Sequence, residues 1–119
     1  MDLHFTARRF KAQDDVRAHA LSAVTNLDKF YDGIVRGDII LSYERRTNSV
    51  KAAEINLHVH GTILSAKEKS DDFRKSIDLA IEKLERQLKR YKTKLRMKNK
   101  KELRRVKEKI PPTAAGEDE

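Results

Sequence analysis

The sequence predicts an α+β fold: a two-layer β-α-β-β-β-α sandwich, in which a four-stranded sheet carries two helices on one face. Two segments repeat apolar residues every three or four positions, as amphipathic helices do, and four shorter segments alternate apolar and polar residues, as strands do. Their order leaves both helices free to cover the same side of the sheet. At 119 residues the chain has the length of one domain. We expect that domain at residues 1–97, with residues 98–119 forming a basic and then acidic flexible tail, or a truncated linker.

The first half of the chain predicts a strand, a helix and two further strands. Leu3, Phe5 and Ala7 alternate with polar neighbours, which indicates a strand with one buried face. An amphipathic pattern from about residue 13 to residue 29 has two aspartates in its first turn, where the helix dipole favours negative charge. Two more strands follow, separated by a turn at residues 45–49. Their apolar residues are Val35, Ile39, Leu41 and Tyr43 in one and Ile55, Leu57 and Val59 in the other.

A short strand and a long helix complete the predicted fold. His60 and Gly61 mark a tight turn before the fourth strand, which includes Leu64 and Ala66. The second helix is expected to begin after a capping aspartate at residue 71 or 72 and to run to about Met97. The apolar stripe by which this helix faces the core comprises Phe73, Ile77, Ala80, Ile81, Leu84, Leu88, Tyr91 and Leu95.

Positive charge is concentrated in the last third of the chain. Residues 71–110 contain 16 Lys and Arg against 7 Asp and Glu, whereas residues 1–70 contain 11 against 9. The last nine residues contain three acidic residues and no basic residue. A basic segment of this kind attracts a polyanion, and RNA or DNA is the polyanion that we expect.

The positive charge lies on one side of the second helix. At about 100° per residue, four basic residues fall within an arc of roughly 80° that contains no acidic residue. These are Lys83, Arg86, Arg90 and Lys94. The opposite flank mixes the two signs. Because like charges four residues apart repel each other, a helix that needed only solubility would intersperse its signs. The segregated flank therefore favours nucleic-acid binding over a merely solvated surface.

Other classes of function find little support in the sequence. The chain has no cysteine, no Gly-rich phosphate loop and no apolar run long enough for a membrane span or a secretory signal. His58 and His60 are two residues apart, so on a strand they would share one face and could hold a metal ion together with His4, but surface histidines are the commoner explanation. We predict no catalytic residue, no metal site, no cofactor and no small-molecule substrate, and a cytoplasmic protein that does not bind membranes.

One family resembles this chain over about residues 2–96. Residues 76–78, 81–88 and 91–95 are similar, almost residue by residue, to the second helix of the ribosome hibernation-promoting factor and ribosome-associated inhibitor A family. Residues 27–32 and 56–59 with Gly61 add to the resemblance. It implies a domain similar in topology to double-stranded RNA-binding domains, which docks on the small ribosomal subunit and its RNA. There it would overlap the decoding region, the tRNA positions and the mRNA path, inhibiting translation during stress or stationary phase without catalysis.

The resemblance also implies RNA-binding residues. By position these are Lys83, Arg86, Lys92 and Lys94, with Arg90 where the family commonly has Lys, and Arg17 on the first helix. Relatives usually bear Lys near the positions of Ala23 and Asn26. Their absence leaves Lys29 beside Arg17 as the basic residues of the first helix, and Arg8 and Arg9 could compensate for the missing lysines.

Two questions stay open at this point. A general binder of duplex RNA would show the same topology and charge. The chain is expected to be a monomer, and it is either a short form or the first part of a long form that pairs ribosomes.

Overall fold

The predicted α+β fold class is confirmed by the structure. This computed structural model describes the backbone of residues 1–44 and 50–109, and the side chains of residues 1–44 and 50–97. The elements in chain order are β1 (Asp2–Ala7), α1 (Asp14–Thr25), a short 3₁₀ helix (Asn26–Lys29), β2 (Arg36–Tyr43), β3 (Lys51–Val59), β4 (Thr62–Ser70) and α2 (Phe73–Lys109).

The four strands form one mixed sheet in the order β1-β2-β3-β4. β1 runs parallel to β2, as expected for strands joined through α1, and the other two pairings are antiparallel. Phe5, Ile39, Ile55 and Ala66 lie in register across the sheet and therefore share its core face. The fully buried large apolar side chains are Val24, Leu27, Ile39, Leu41, Ile55, Leu57, Ile77, Leu84 and Leu88.

Two glycines sit where a side chain would be costly. Gly61 forms the β3–β4 turn with a φ of 88°, a conformation that glycine adopts readily. Gly37 of β2 faces α1, and a Cβ there would lie 3.2 Å from Val24 Cγ1 and 3.1 Å from Leu3 Cδ2. The absence of a side chain at residue 37 lets α1 approach the sheet closely.

The chain divides into two compact units, Met1–Leu88 and Lys89–Glu119, and α2 contributes to both. The sheet, α1 and the first part of α2 belong to the first unit. The predicted boundary after residue 97 stays a prediction. The expected turn at residues 45–49 and the end of the tail, from residue 110, lie outside the described residues.

Four details of the predicted elements were wrong. The fourth strand, expected to be short, spans the nine residues Thr62–Ser70 and is as long as β3, because its polar residues continue the pairing on the exposed side of the sheet. α2 continues to Lys109 instead of ending at Met97, because residues 98–109 are dominated by helix-forming Lys, Arg, Glu and Leu and contain neither Gly nor Pro. Val35 precedes β2 and is 66% exposed, whereas its neighbour Ile34 is buried. The end of α1 tightens into a 3₁₀ helix at Asn26–Lys29.

Candidate nucleic-acid interface

The start of α2 is fixed to the sheet by polar contacts. Asp72 caps the helix, since its carboxylate accepts a hydrogen bond of 3.2 Å from the backbone N–H of Arg74. At 100° per residue Ser76 falls on the same side of α2 as the four flank cations, yet in the structure it is fully buried. Its hydroxyl donates to the backbone carbonyl of Lys51 at 2.7 Å and lies 2.6 Å from the hydroxyl of Ser70. The orientation of α2 about its own axis is therefore set by hydrogen bonds as well as by the apolar stripe.

The basic flank of α2 faces the β4 edge of the sheet within the first unit. Gln87, which lies among the basic residues, donates a hydrogen bond of 2.8 Å to the backbone carbonyl of Ser65 in β4. Lys83 and Arg86 are exposed. The ammonium group of Lys83 forms an ion pair with the carboxylate of Glu68, also in β4. The helix flank has no acidic residue of its own, but the fold places the carboxylate of Glu68 against it. Helical spacing alone does not reveal this contact.

In the second unit, the predicted cations differ in exposure. Arg90 and Lys94 are exposed, whereas Lys92 is half-buried together with the apolar-stripe residues Tyr91 and Leu95. A half-buried lysine can pack its methylene stem while its ammonium group reaches water. Arg90 and Lys94 therefore present their charge more freely than Lys92 does.

Arg17 lies on the opposite edge of the helical layer from Lys83. Its guanidinium carbon stands 5.6 Å from the centroid of the Phe5 ring in β1, a cation–π contact. Because β1 and β4 are the two edge strands, three strand spacings of about 4.8 Å, or roughly 14 Å, separate the strands beneath Arg17 and Lys83. The structure does not bring these two predicted residues into one patch.

Between the two edges, α1 and α2 meet through a histidine and a carboxylate. The Nε2 atom of His19 lies 2.7 Å from Asp78 Oδ1. The groove there also contains Glu82, Arg74 and Lys75, so its charge is mixed. Lys29 is exposed on the 3₁₀ helix that follows α1. The α1–α2 junction is thus a poorer polyanion surface than either edge.

The predicted pair Arg8 and Arg9 lies in the turn after β1, and both residues are exposed. They line one side of an open cleft of about 770 Å³, whose other walls include Tyr43 and Lys67. Sequence reasoning missed Tyr43, which it counted only among the apolar residues of the second strand, and Lys67, which it did not single out. The alternation of β4 was the available signal for Lys67, since it sets residue 67 on the face opposite Ala66.

The sheet face opposite the helices is mostly polar. Asp38 accepts a 2.8 Å hydrogen bond from Arg36 Nε and lies 3.0 Å from Nε2 of His58. Partial burial alone would raise the pKa of Asp38, but the hydrogen bonds from Arg36 and His58 and their positive charges outweigh it and hold this pKa below its ordinary value. The carboxylate is therefore ionised at neutral pH.

The histidines do not form the metal pair that was considered. His58 lies in β3 and contacts Asp38, whereas His60 lies in the turn beyond the end of that strand. His4 is 3.0 Å from Asp2. Among the described residues, no group of three or more His, Cys, Asp or Glu is placed to hold a metal ion. Within the same part of the chain, no helix is both long and apolar enough to cross a membrane.

The comparison with protein families shows which group of proteins this chain belongs to. Residues 3–96 match the family model described as Sigma 54 modulation protein / S30EA ribosomal protein. The chain belongs to this family. Membership of the S30EA family implies an association with the ribosome and an inhibitory role in translation.

Two curated relatives of this S30EA chain are named as hibernation factors. It is 32% identical to the ribosome hibernation promoting factor of Klebsiella oxytoca over 96 residues, which are 81% of this chain and 98% of the relative. It is 27% identical to the ribosome hibernation promotion factor of Staphylococcus aureus (strain COL) over 86 residues, which are 72% of this chain and 45% of that longer relative. The similarity to the shorter relative thus extends over almost all of that protein.

Solved structures show the same fold. The ribosomal subunit interface protein of Coxiella burnetii superimposes with a TM-score of 0.71 at 26% identity, covering 78% of this chain and 99% of that one. The N-terminal domain of Protein Y from Thermus thermophilus gives a TM-score of 0.66 at 26% identity, covering 76% of this chain and 99% of that one. Both comparisons support the four-stranded sheet with two helices.

Proposed function

We propose that this protein is a ribosome hibernation factor that binds the RNA of the small subunit where mRNA is decoded and tRNA is held. Occupation of that region would exclude tRNA and mRNA by volume, so that translation stops without a chemical step. We further propose that the protein acts as a monomer in the cytoplasm during stress or stationary phase. The match of residues 3–96 to the S30EA family is the observation that carries the proposal.

The exposed cations supply the physical means of binding. Lys83 and Arg86 in the first unit, and Arg90 and Lys94 in the second, are exposed on α2 and suited to contact RNA phosphates. Phosphate contacts position a protein on RNA without reading the base sequence. Specificity for one region of the subunit would then come from the fit between the folded domain and the shape of its RNA.

Cosedimentation with purified small subunits tests the site one unit at a time. One variant carries Lys83→Glu and Arg86→Glu, and a second carries Arg90→Glu and Lys94→Glu. Each substitution pair removes two phosphate contacts, so the slope of log K against log salt should flatten by about 1.4 to 1.8. A matched control, Arg74→Glu with Lys75→Glu, makes the same change of charge at two exposed residues in the first turn of α2, where they line the mixed-charge α1–α2 groove.

The outcomes separate the proposal from its rivals. We expect both test variants to lose binding while the control retains it and all three unfold cooperatively. Equal losses in all three variants would indicate a response to net charge and would refute the assigned surface. Excess free duplex RNA should fail to displace the wild-type protein; displacement would identify a general binder of duplex RNA instead. If all of the wild-type protein stayed in the supernatant at low salt while the subunits sedimented, the proposal that it binds the ribosome would be refuted.

A further inference from the structure

One edge of the sheet, at β4, lies beside the basic flank of α2. β4 is the last strand in the sheet order, so it pairs with β3 on one side and no described strand lies on its other side. Gln87 donates its 2.8 Å hydrogen bond to the backbone carbonyl of Ser65, and Lys83 forms its ion pair with Glu68. Both contacts hold the helix flank against this strand, so the free edge of β4 borders the cations of the flank.

The backbone of β4 offers hydrogen-bond donors at this free edge. In an antiparallel pair, residues alternate between those that exchange both backbone hydrogen bonds with the neighbouring strand and those whose N–H and C=O groups point away from it. The bond from Gln87 identifies Ser65 as a residue of the second kind, and the two-residue turn between Val59 and Thr62 gives the same phase. Every second residue of β4 therefore directs its backbone to the free edge; these are Ile63, Ser65, Lys67 and Lys69.

Lys67 combines an outward backbone N–H group with an exposed side chain. Glu54 faces it across the strand pair, but the Glu54 carboxylate accepts a hydrogen bond of 3.4 Å from the amide of Asn56. Among the described residues, no carboxylate lies within ion-pair distance of the Lys67 ammonium group, whereas Lys69 is held by Glu44 at 2.7 Å. The charge of Lys67 therefore remains available to an anion.

The cations beside this edge come from both layers of the fold. Lys83 and Arg86 belong to the helical layer, whereas Lys67 lies on the sheet face opposite the helices, as the alternation of β4 requires. The Ser65 carbonyl, whose negative end would repel a phosphate, already accepts the hydrogen bond from Gln87. Lysine side chains and backbone N–H groups are both donors by which proteins hold phosphates. The edge is therefore suited to the phosphate backbone of a nucleic acid.

We propose that the free edge of β4 is a second part of the RNA interface, where the ammonium and backbone N–H groups of Lys67 hold a phosphate of the small-subunit RNA. The same RNA strand would pass from Lys83 and Arg86 across the edge to Lys67. This inference rests on the proposed function and extends its interface from the helix to the sheet. A second copy of the chain is a less suitable occupant, because pairing two β4 edges would bring the lysines of both copies close together.

Lys67→Gln tests the phosphate contact. The substitution removes one positive charge at an exposed residue, so the fold should be unchanged. The slope of log K against log salt for binding to small subunits should flatten by about 0.7 to 0.9. Lys75→Gln is the matched control, since it removes the same charge at an exposed residue of the α1–α2 groove and should leave the slope unchanged.

Three results of this comparison would overturn the edge assignment. The first is a wild-type slope for Lys67→Gln, and the second is an equal change in both variants. The third is a Lys67→Gln variant that binds normally but dimerises, because the lysine would then serve only to keep the edge from pairing.

Hydrogen–deuterium exchange, resolved to single residues by mass spectrometry, tests the backbone contact in the wild-type protein. An edge N–H group that has no acceptor exchanges quickly, and a phosphate that accepts its hydrogen bond should slow that exchange. We expect the amide of Lys67 to lose its fast exchange on the small subunit, while the amides of β1, at the other edge of the sheet, keep their rates. Unchanged exchange at residue 67 in the complex would overturn the contact. Slowing without subunits that increases with protein concentration would assign the edge to a second copy instead.

The edge contact and the proposed function fail in different ways. If the wild-type protein does not bind small subunits, the proposed function is refuted and the edge contact with it. If Lys83→Glu with Arg86→Glu loses binding while Lys67→Gln keeps the wild-type affinity and slope, the helix flank stands and only the edge contact is refuted.

Discussion

Replacement of Glu68 by Gln should strengthen ribosome binding, although Glu68 is a half-buried residue of β4 and is not itself expected to contact RNA. Glu68 holds the ammonium group of Lys83, and the two side chains are 20% and 51% exposed. An ion pair with this exposure contributes about 0.2 to 1 kcal/mol. Lys83 must give up that contact before it can bind a phosphate fully, so Glu68→Gln removes the competition. At about 1.4 kcal/mol per tenfold change, the affinity should rise by a factor of about 1.4 to 5.

The assay is binding to fluorescently labelled small subunits at several salt concentrations. In Glu68→Gln the slope of log K against log salt should steepen by up to about 0.9, the contribution of one additional phosphate contact. Glu82→Gln is the matched control, because it makes the same change of net charge at an exposed carboxylate in the α1–α2 groove. The same increase in both variants would show that only net charge matters. A weaker complex for Glu68→Gln would refute the competition, and with it the place of Lys83 in the interface.

The remaining predictions concern stability, measured by urea unfolding. Leu84→Ala, in the fully buried stripe of α2, should lower the free energy of unfolding by about 2 to 5 kcal/mol, and a loss below 1 kcal/mol would contradict its core position. Ser76→Ala should cost about 1 to 3 kcal/mol, because it leaves the part-buried carbonyl of Lys51 without the hydroxyl that donates to it, while Ser76→Thr serves as the control that keeps the hydroxyl. Asp38→Asn should remove a pH-dependent part of stability: a carboxyl whose folded pKa is lowered stabilises the fold above its unfolded pKa of about 3.9 and loses that effect as the pH falls through the folded pKa. Wild type and Asp38→Asn should thus differ most near neutral pH and converge in acid, and a constant difference would be inconsistent with this sign.

Periodicity predicted the fold well because the two layers of this protein follow simple rules. In a strand with one buried face, apolar and polar residues alternate, so Leu3, Phe5 and Ile39 were correctly assigned to the core face of the sheet. The end of α2 was harder to predict, since a helix rich in Lys and Arg has no apolar signal that marks where packing ceases. The exposure of Val35 could not be predicted either, because this residue fits the two-residue alternation of β2 and the alternation does not show where the strand begins.

The exposed residues of α2 could be predicted from the sequence, but their neighbours on other elements could not. Helical spacing placed Lys83 and Arg86 on one flank, and both are exposed. It could not show that Glu68 of β4 meets Lys83, because that contact depends on how α2 lies along the sheet edge. The cleft was likewise invisible, since Arg9 and Lys67 are 58 positions apart in the chain and only the sheet brings them together.

The most direct test of the central claim is a density map of this protein bound to the small ribosomal subunit. We expect the domain in the decoding region, across the tRNA and mRNA positions, with Lys83, Arg86, Arg90 and Lys94 of α2 within reach of RNA phosphates. Density elsewhere on the subunit would contradict it. So would a domain in that region whose α2 cations face solvent.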